Sequence, residues 1–587
     1  MPLCPVVRQA TDAPSAEAIA RQSTPGPLVK QVSSGEPVRS ARFSVMEREE
    51  ARLETGPRNG AAASTERAAR QWLVALVVVG VLARVLRYGL GFALWEDEAF
   101  LVVNLFEKDV PGLLGPLDFG QLAPPLWLLA EKAVAELLGF SEWSLRLVAF
   151  VSSLASLALF VSLARRLLAG WEATFAAGIF AVSYPCVRYA AEAKPYGVDL
   201  LVSVALLLAG VRLAEGARPV RWLLLAALLA IGPWLSFPSA FVGGGIVLLG
   251  LSQALAAAGP GHRVAAGAPW VAAGLLHVAS LLAVQACIAD AAAPTLPGMQ
   301  AFWLEAFPPF ATPLRIPLWL LASLTGPLFA FPVGGVAGAS VVTTVAVLGG
   351  VVLLAGSSRR PLIAFCTAPL ALHLAAAALH RYPFGGHTKF SLYAVPLVSI
   401  LAAVSLAHLA SPGRGPGRRT DPGGGAVATF LLVIGLAVLA RDLVWPYKNP
   451  SDEAARSFAR GFWVDAALGA ETVCLESDLG VSFQPELRSR LSWFATYRAN
   501  QILYSPRHGR REAPRLDRVT AGRPLLLVEY RVAAFAYDQE GSWRWMEKTR
   551  TELTLVEETK IPVPRRDQRQ RRLLTTDEIV LRRFVPR

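Results

Sequence analysis

Charge is scarce in this chain. Of its 587 residues 17% are Asp, Glu, Lys or Arg and 53% are hydrophobic, and the mean hydropathy is +0.43. Soluble domains carry about 25% charged residues, so a single soluble globule is excluded. Cysteine is sparse too: Cys4, Cys186, Cys287, Cys366 and Cys474 show no paired spacing. That pattern predicts neither a disulfide framework nor a zinc site. The first 70 residues lack an apolar core segment and do not read as a signal peptide. Their Ala, Arg, Ser and Pro content predicts a disordered cytoplasmic arm over 1–70. No period of 20–50 residues marks a repeat. No basic patch is interleaved with aromatics, so the net charge of +13 predicts no nucleic-acid partner. Cytoplasmic loops of membrane proteins collect Lys and Arg, which accounts for the excess.

Long apolar runs are what the chain has in abundance. They centre near residues 81, 155, 180, 206, 229, 247, 278, 347, 371, 400 and 435. A bilayer takes roughly 20 apolar residues per helix, which gives about eleven spans. The expected fold is an all-α polytopic membrane protein over 71–445 with a C-terminal soluble α/β domain over 446–587. Helix-like stretches at Ser451–Leu468 and Leu487–Gln501 and strand-like runs at Thr472–Leu475, Leu525–Tyr530, Leu553–Glu557 and Glu578–Leu581 predict that domain. The arginines of 564–583 read as a solvated tail.

Orientation follows the cations of the short loops. Arg165/Arg166, Arg212/Arg218/Arg221, Arg263, Arg359/Arg360 and Arg414/Arg418/Arg419 fall on one side with the N-terminal arm. That side is expected to be cytoplasmic, which puts 91–143 and 446–587 outside. The stretch Pro124 to Phe140 carries Glu131, Lys132 and Glu136, so it is expected to lie in the interface rather than span. Ile316 to Phe331, broken by Pro317, Gly326 and Pro327, is expected to be external or re-entrant.

Three carboxylates, Glu96-Asp97-Glu98, follow directly on the first apolar run. Charges at that depth are costly and are kept mostly where they pair or do chemistry. Two further clusters are expected on the same side. Arg188 to Tyr196 brings Arg188, Glu192 and Lys194, and Arg381 to Lys389 brings His387 and Lys389. Those cations run against the positive-inside trend, which suits a phosphate partner. A carboxylate can take a proton from a hydroxyl nucleophile, and cations can steady a leaving phosphate.

These motifs, in this order, resemble the GT-C superfamily of polyprenyl-phosphate-sugar-dependent glycosyltransferases. The resemblance runs over roughly 70–410. Asp97-Glu98 matches the family's acidic pair. Ala123-Pro124-Pro125-Leu126, then Ser141 to Arg146, matches its Pro-Pro-Leu segment, with Ala123 where relatives have a polar residue. Tyr189 to Tyr196 matches the bacterial branch, with Lys194 where Arg is usual. Tyr382 to Pro396 matches a late loop, with Lys389 at the cation. The resemblance implies an enzyme that moves a sugar from polyprenyl phosphate to an acceptor hydroxyl, with inversion at C1. Asp97 would be the general base, with Glu98 beside it in the catalytic pair. Glu192 and Tyr196 would hold substrate, and Lys389, helped by Arg188, Lys194 or His387, would balance the leaving phosphate. It further implies no metal and no cofactor, and an envelope lipid, glycan or protein as acceptor, at the inner membrane. The rival functions are a transporter or flippase, which would show paired broken helices, and a non-catalytic scaffold.

Overall fold

A computed structural model describes residues 58–411, 422–445, 450–465, 472–475, 499, 524–531, 553–566 and 573–587. Residues 1–57 of the expected arm, residues 412–421 and most of the expected helix at 487–501 lie outside the described residues.

The helices run α1 Arg58–Gly89, α2 Glu96–Glu107, α3 Val110–Leu114, α4 Pro125–Leu138, α5 Ser144–Leu167, α6 Gly170–Val182, α7 Tyr184–Arg188, α8 Tyr196–Glu215 and α9 Pro219–Leu235. They continue as α10 Ser239–Ala257, α11 Arg263–Cys287, α12 Ala289–Phe302, α13 Ile316–Ser323, α14 Val341–Ala355, α15 Pro361–Ala378, α16 Val395–Ala410, α17 Pro422–Val444 and α18 Pro450–Asp465. Eight described helices are long and apolar enough to cross a membrane, and three shorter apolar ones (α6, α9 and α14) lie among them. Every apolar run read from the sequence is therefore a helix. The segment at α13 is a short helix ended by a π-turn over Leu324–Leu328, too short to span at 1.5 Å per residue.

The first helix begins at Arg58, inside the stretch expected to be disordered. Its Ala-rich opening, Ala61-Ala62-Ala63, has high helix propensity and extends the span. Along α1, Val74, Val78, Leu82 and Val85 are exposed at intervals of four, four and three residues, a stripe suited to lipid. The opposite face packs on α6. Gly80 allows that approach, since a Cβ there would sit 2.6 Å from the Ala181 carbonyl oxygen. Arg84, fully buried on α1, donates to the Ala181 carbonyl (2.7 Å), the Gly80 carbonyl (2.8 Å) and Ser153 Oγ (3.0 Å). It ties α1, α5 and α6 together by satisfying groups that lipid cannot.

Ion pairs show which helix ends share a side. Arg166 at the end of α5 pairs with Glu215 at the end of α8 (2.6 Å). Arg359, between α14 and α15, pairs with Glu172 at the start of α6 (2.6 Å). The loops that carry Arg165/Arg166, Arg212/Arg218/Arg221 and Arg359/Arg360 thus gather at one end of the bundle. Asp97, Lys194 and Lys389 meet at the other. The short helices α2, α3 and α4 lie between α1 and α5 in the chain.

The charged face of α4 differs from expectation. It turns inward rather than to the interface: Glu131 and Lys132 are buried, while Leu137 and Leu138 are exposed. Lys132 Nζ donates to the Leu105 carbonyl (2.9 Å) and pairs with Glu136 (3.3 Å). Leu105 lies in the last turn of α2, where carbonyls lack a helical partner. Burial, with Glu98 nearby, pushes the Glu131 carboxyl well above the usual carboxylate range.

The C-terminal region holds α18 and a four-stranded sheet in the order β1-β2-β4-β3. The strands are β1 Thr472–Leu475, β2 Leu525–Arg531, β3 Leu553–Arg566 and β4 Leu573–Pro586. β1 and β2 are parallel and the rest antiparallel. β3 and β4 run well beyond the segments read from the sequence; for Arg582 and Arg583 they correct the expectation of a solvated arginine tail, while residues 567–572 lie outside the described residues. Arg582 and Arg583 stand opposite Glu558 and Glu557 and pair with them at 2.8 and 2.5 Å. Opposite charges directly across a ladder stabilise it, so the arginines belong to the sheet. On α18, Arg456 reaches the Gly91 carbonyl and Glu142 (3.4 Å), and Arg460 also reaches Glu142 (3.5 Å). That helix docks on the end of the bundle that carries Asp97.

Candidate functional site

The site begins where α1 ends. After Gly89 the chain turns through Phe92-Ala93-Leu94 and re-enters helix at Glu96. Asp97 and Glu98 then occupy one helical turn. Successive residues on a helix point about 100° apart, and the two acids have opposite surroundings.

Glu98 is fully buried. Arg146 approaches it as a fork, Nε to Oε1 at 2.7 Å and Nη2 to Oε2 at 2.6 Å. The Ala193 N–H adds 2.7 Å and the Trp95 N–H 3.2 Å. Arg146 also donates to the Phe92 and Ala93 carbonyls (2.6 and 3.2 Å). Bidentate, charge-assisted bonding of this kind fixes geometry. It joins the start of α2, the start of α5 and the loop before α8. Because Glu98 neighbours Asp97 and Ala193 neighbours Lys194, this junction also sets the distance between Asp97 and Lys194.

Asp97 faces a cavity of about 950 Å³. Its Oδ1 lies 3.3 Å from Lys194 Nζ and its Oδ2 3.3 Å from Lys389 Nζ. Lys194 Nζ also donates to Gln121 Oε1 (2.8 Å). Lys389 Nζ stands over the Trp303 ring, 5.1 Å from its centroid. Burial pushes the Lys194 ammonium below the ordinary lysine value; Asp97 counters that and Lys389 adds to it. His387 Nδ1 accepts the Lys389 N–H (3.2 Å) and lies 3.4 Å from the Tyr189 hydroxyl.

The late loop is shaped by its own motif. Gly385 and Gly386 have φ of +81° and +69°, and a Cβ on Gly386 would sit 2.6 Å from Ala306 Cβ. Only glycine takes that turn without strain. His373 Nε2 bonds the Pro383 carbonyl (2.8 Å) and anchors the loop to α15.

The sequence-read residues divide in two. Asp97, Lys194, Tyr196, His387 and Lys389 line the cavity. Glu98, Arg188 and Glu192 stand behind it. Arg188 pairs with Glu192 (2.8 Å) and lies over Trp95. Sequence reasoning did not assign a site role to Gln121, Trp303 or Arg146, although Arg146 ends the Ser141 to Arg146 motif. It also missed Asp199, which lines the cavity from within α8. A single Asp inside an apolar run was the available signal.

Residues 123–286 match the family model described as dolichyl-phosphate-mannose-protein mannosyltransferase. The resemblance read from the motifs holds over that segment. Among solved structures the chain is similar to ArnT from Cupriavidus metallidurans bound to undecaprenyl phosphate. The identity is 14% and the TM-score 0.49, with 87% of this chain and 98% of that one covered. It is also similar to the Archaeoglobus fulgidus oligosaccharyltransferase in the apo form, at 10% identity and a TM-score of 0.44, with 75% of this chain and 65% of that one covered. No curated protein matches the sequence.

Proposed function

We propose that this chain is a membrane glycosyltransferase that moves a sugar from a polyprenyl-phosphate donor to an acceptor hydroxyl at the outer face of the inner membrane. One observation carries the proposal: a carboxylate and two lysines meet at 3.3 Å in the wall of a large cavity, at the end of the bundle opposite the cationic loops. The positive-inside trend makes that end external.

Asp97 acts as general base and takes the proton of the acceptor hydroxyl as it attacks C1 of the sugar. The bond from C1 to the phosphate oxygen breaks, and polyprenyl phosphate leaves with the electron pair. Lys194 and Lys389 offset the charge that develops on that phosphate. Without donor, the same lysines pair with Asp97 and orient it. Lys is a point charge rather than a fork, so each lysine can serve carboxylate and phosphate in turn. The reading gives the charge balance to lysines and no role to a metal. Glu98 positions Asp97 through Arg146 and Ala193, and Arg188 with Glu192 braces the same wall.

Purified protein in nanodiscs, given undecaprenyl phosphate carrying radiolabelled sugar and an envelope extract as acceptor, tests the reading. Transfer of label by the wild type, with Lys389→Ala slower and weaker in donor binding, supports it. A Lys389→Ala variant with wild-type rate and donor affinity removes the phosphate role from that residue.

A further inference from the structure

Asp199 is a carboxylate that this reaction leaves unused. It lies three residues beyond Tyr196 on α8 and lines the same cavity. It is 5% exposed, and its Oδ1 has no hydrogen-bond partner among the described residues. Acids in spanning helices are rare and mark functional positions by default. A structural role would give it partners. Glu98 has four donors, and Asp442, buried at the far end of α17, has Arg87 at 2.8 Å. Near Asp199 stand the Ser236 hydroxyl and Tyr382. Such a carboxylate costs stability until a ligand supplies donors.

The surroundings define the ligand. Phe241 and Tyr382 meet edge to face at 5.3 Å, and Phe237 and Pro233 line the same cavity. A carboxylate among aromatic faces accepts two neighbouring hydroxyls while the rings cover C–H surfaces. One turn of α8 separates Asp199 from Tyr196, about 4.5 Å along the axis, which is close to the width of a pyranose. We propose that Asp199, with Tyr382 and Phe241, forms the subsite that binds the hydroxyls of the transferred sugar and selects it. The proposal rests on the assignment of Asp97 and the lysines to the reacting end.

The test uses full-length protein in nanodiscs and two kinds of probe. One is undecaprenyl phosphate alone. The other is undecaprenyl phosphate bearing glucose, mannose, galactose or arabinose. Asp199→Ala should weaken the sugar-bearing lipid that wild type binds best by roughly 10- to 100-fold, the worth of two lost hydrogen bonds. It should leave the affinity for undecaprenyl phosphate unchanged. Asp199→Asn, which keeps an acceptor, should fall between Ala and wild type and melt no lower than wild type. Equal loss for the sugar-free lipid overturns the subsite, because Asp199 then acts on the phosphate end or on the fold. An Asn variant as weak as Ala overturns recognition of hydroxyls in favour of a cationic group. Wild-type affinity in Asp199→Ala overturns the subsite alone. Failure of wild type to bind any of the four sugar lipids overturns the subsite together with the glycosyltransferase reading.

Discussion

Asp97 and Glu98 are chemically near-identical neighbours whose partners give them different work. Asp97 is 21% exposed and touches two lysines, whereas Glu98 is sealed under four donors. Asp97→Asn should keep its fold and lose about 10²–10⁴-fold in transfer rate, the usual cost of removing a general base; steady-state transfer at matched protein concentration reads this. Glu98→Ala should behave differently. It strands the Arg146 guanidinium in the core, and breaking one side of a buried pair costs about 3–5 kcal/mol. The expected result is a clear fall in melting temperature in detergent. A Glu98→Ala variant that melts like wild type would contradict the positioning role. Lys194 adds a pH dependence. Its ammonium is held below the ordinary lysine value, so its charge is present at low pH and lost as pH rises through that lowered value. Transfer should decline on the alkaline side before an ordinary lysine would titrate, near 10.4. Lys194→Arg, permanently charged, should carry that decline to higher pH in a pH–rate profile. The acidic pair was legible in the sequence, but its division of labour was not. A sequence places both acids on one turn; it does not say which one meets Arg146, 48 residues away.

The helices were legible because their signal is local. A run of apolar residues near bilayer length reads as a span without knowledge of its neighbours, and each such run is a helix here. The inward face of α4 was illegible, because Lys132 answers a carbonyl on another helix. The arginines of β4 were misread for the same reason, since their acids lie across the sheet on β3. The ion pairs that join helix ends show which ends share a side, and the positive-inside trend gives the expected orientation. In a background without native cysteines, Pro116→Cys in the long loop and Ser358→Cys in the turn before α15 are both at exposed positions. An impermeant thiol reagent on right-side-out membranes should label the first and not the second. The reverse pattern would invert the topology and the proposed external site with it.

At the scale of the whole molecule, two kinds of charge occupy two ends of an apolar bundle. One end holds arginines paired with acids at helix termini. The other holds a cavity of about 950 Å³ with one acid between two lysines at its wall. The gathering of Asp97, Lys194 and Lys389 was foreseeable in part. Each sits in a motif on the same expected side, although 292 residues separate Asp97 from Lys389. Asp199 was legible only as a lone acid inside an apolar run; its place in the cavity wall was not, because residues from several distant elements build that wall. The central claim is that this wall transfers sugar from a lipid phosphate. The most direct measurement compares purified wild type with Asp97→Asn for release of free undecaprenyl phosphate from undecaprenyl-phosphate-linked sugar, in the presence of an envelope acceptor. Release by wild type matched by labelled acceptor, and nearly abolished in Asp97→Asn, is the predicted result. Equal release by the two proteins, or binding of the donor with no release by either, would contradict the account.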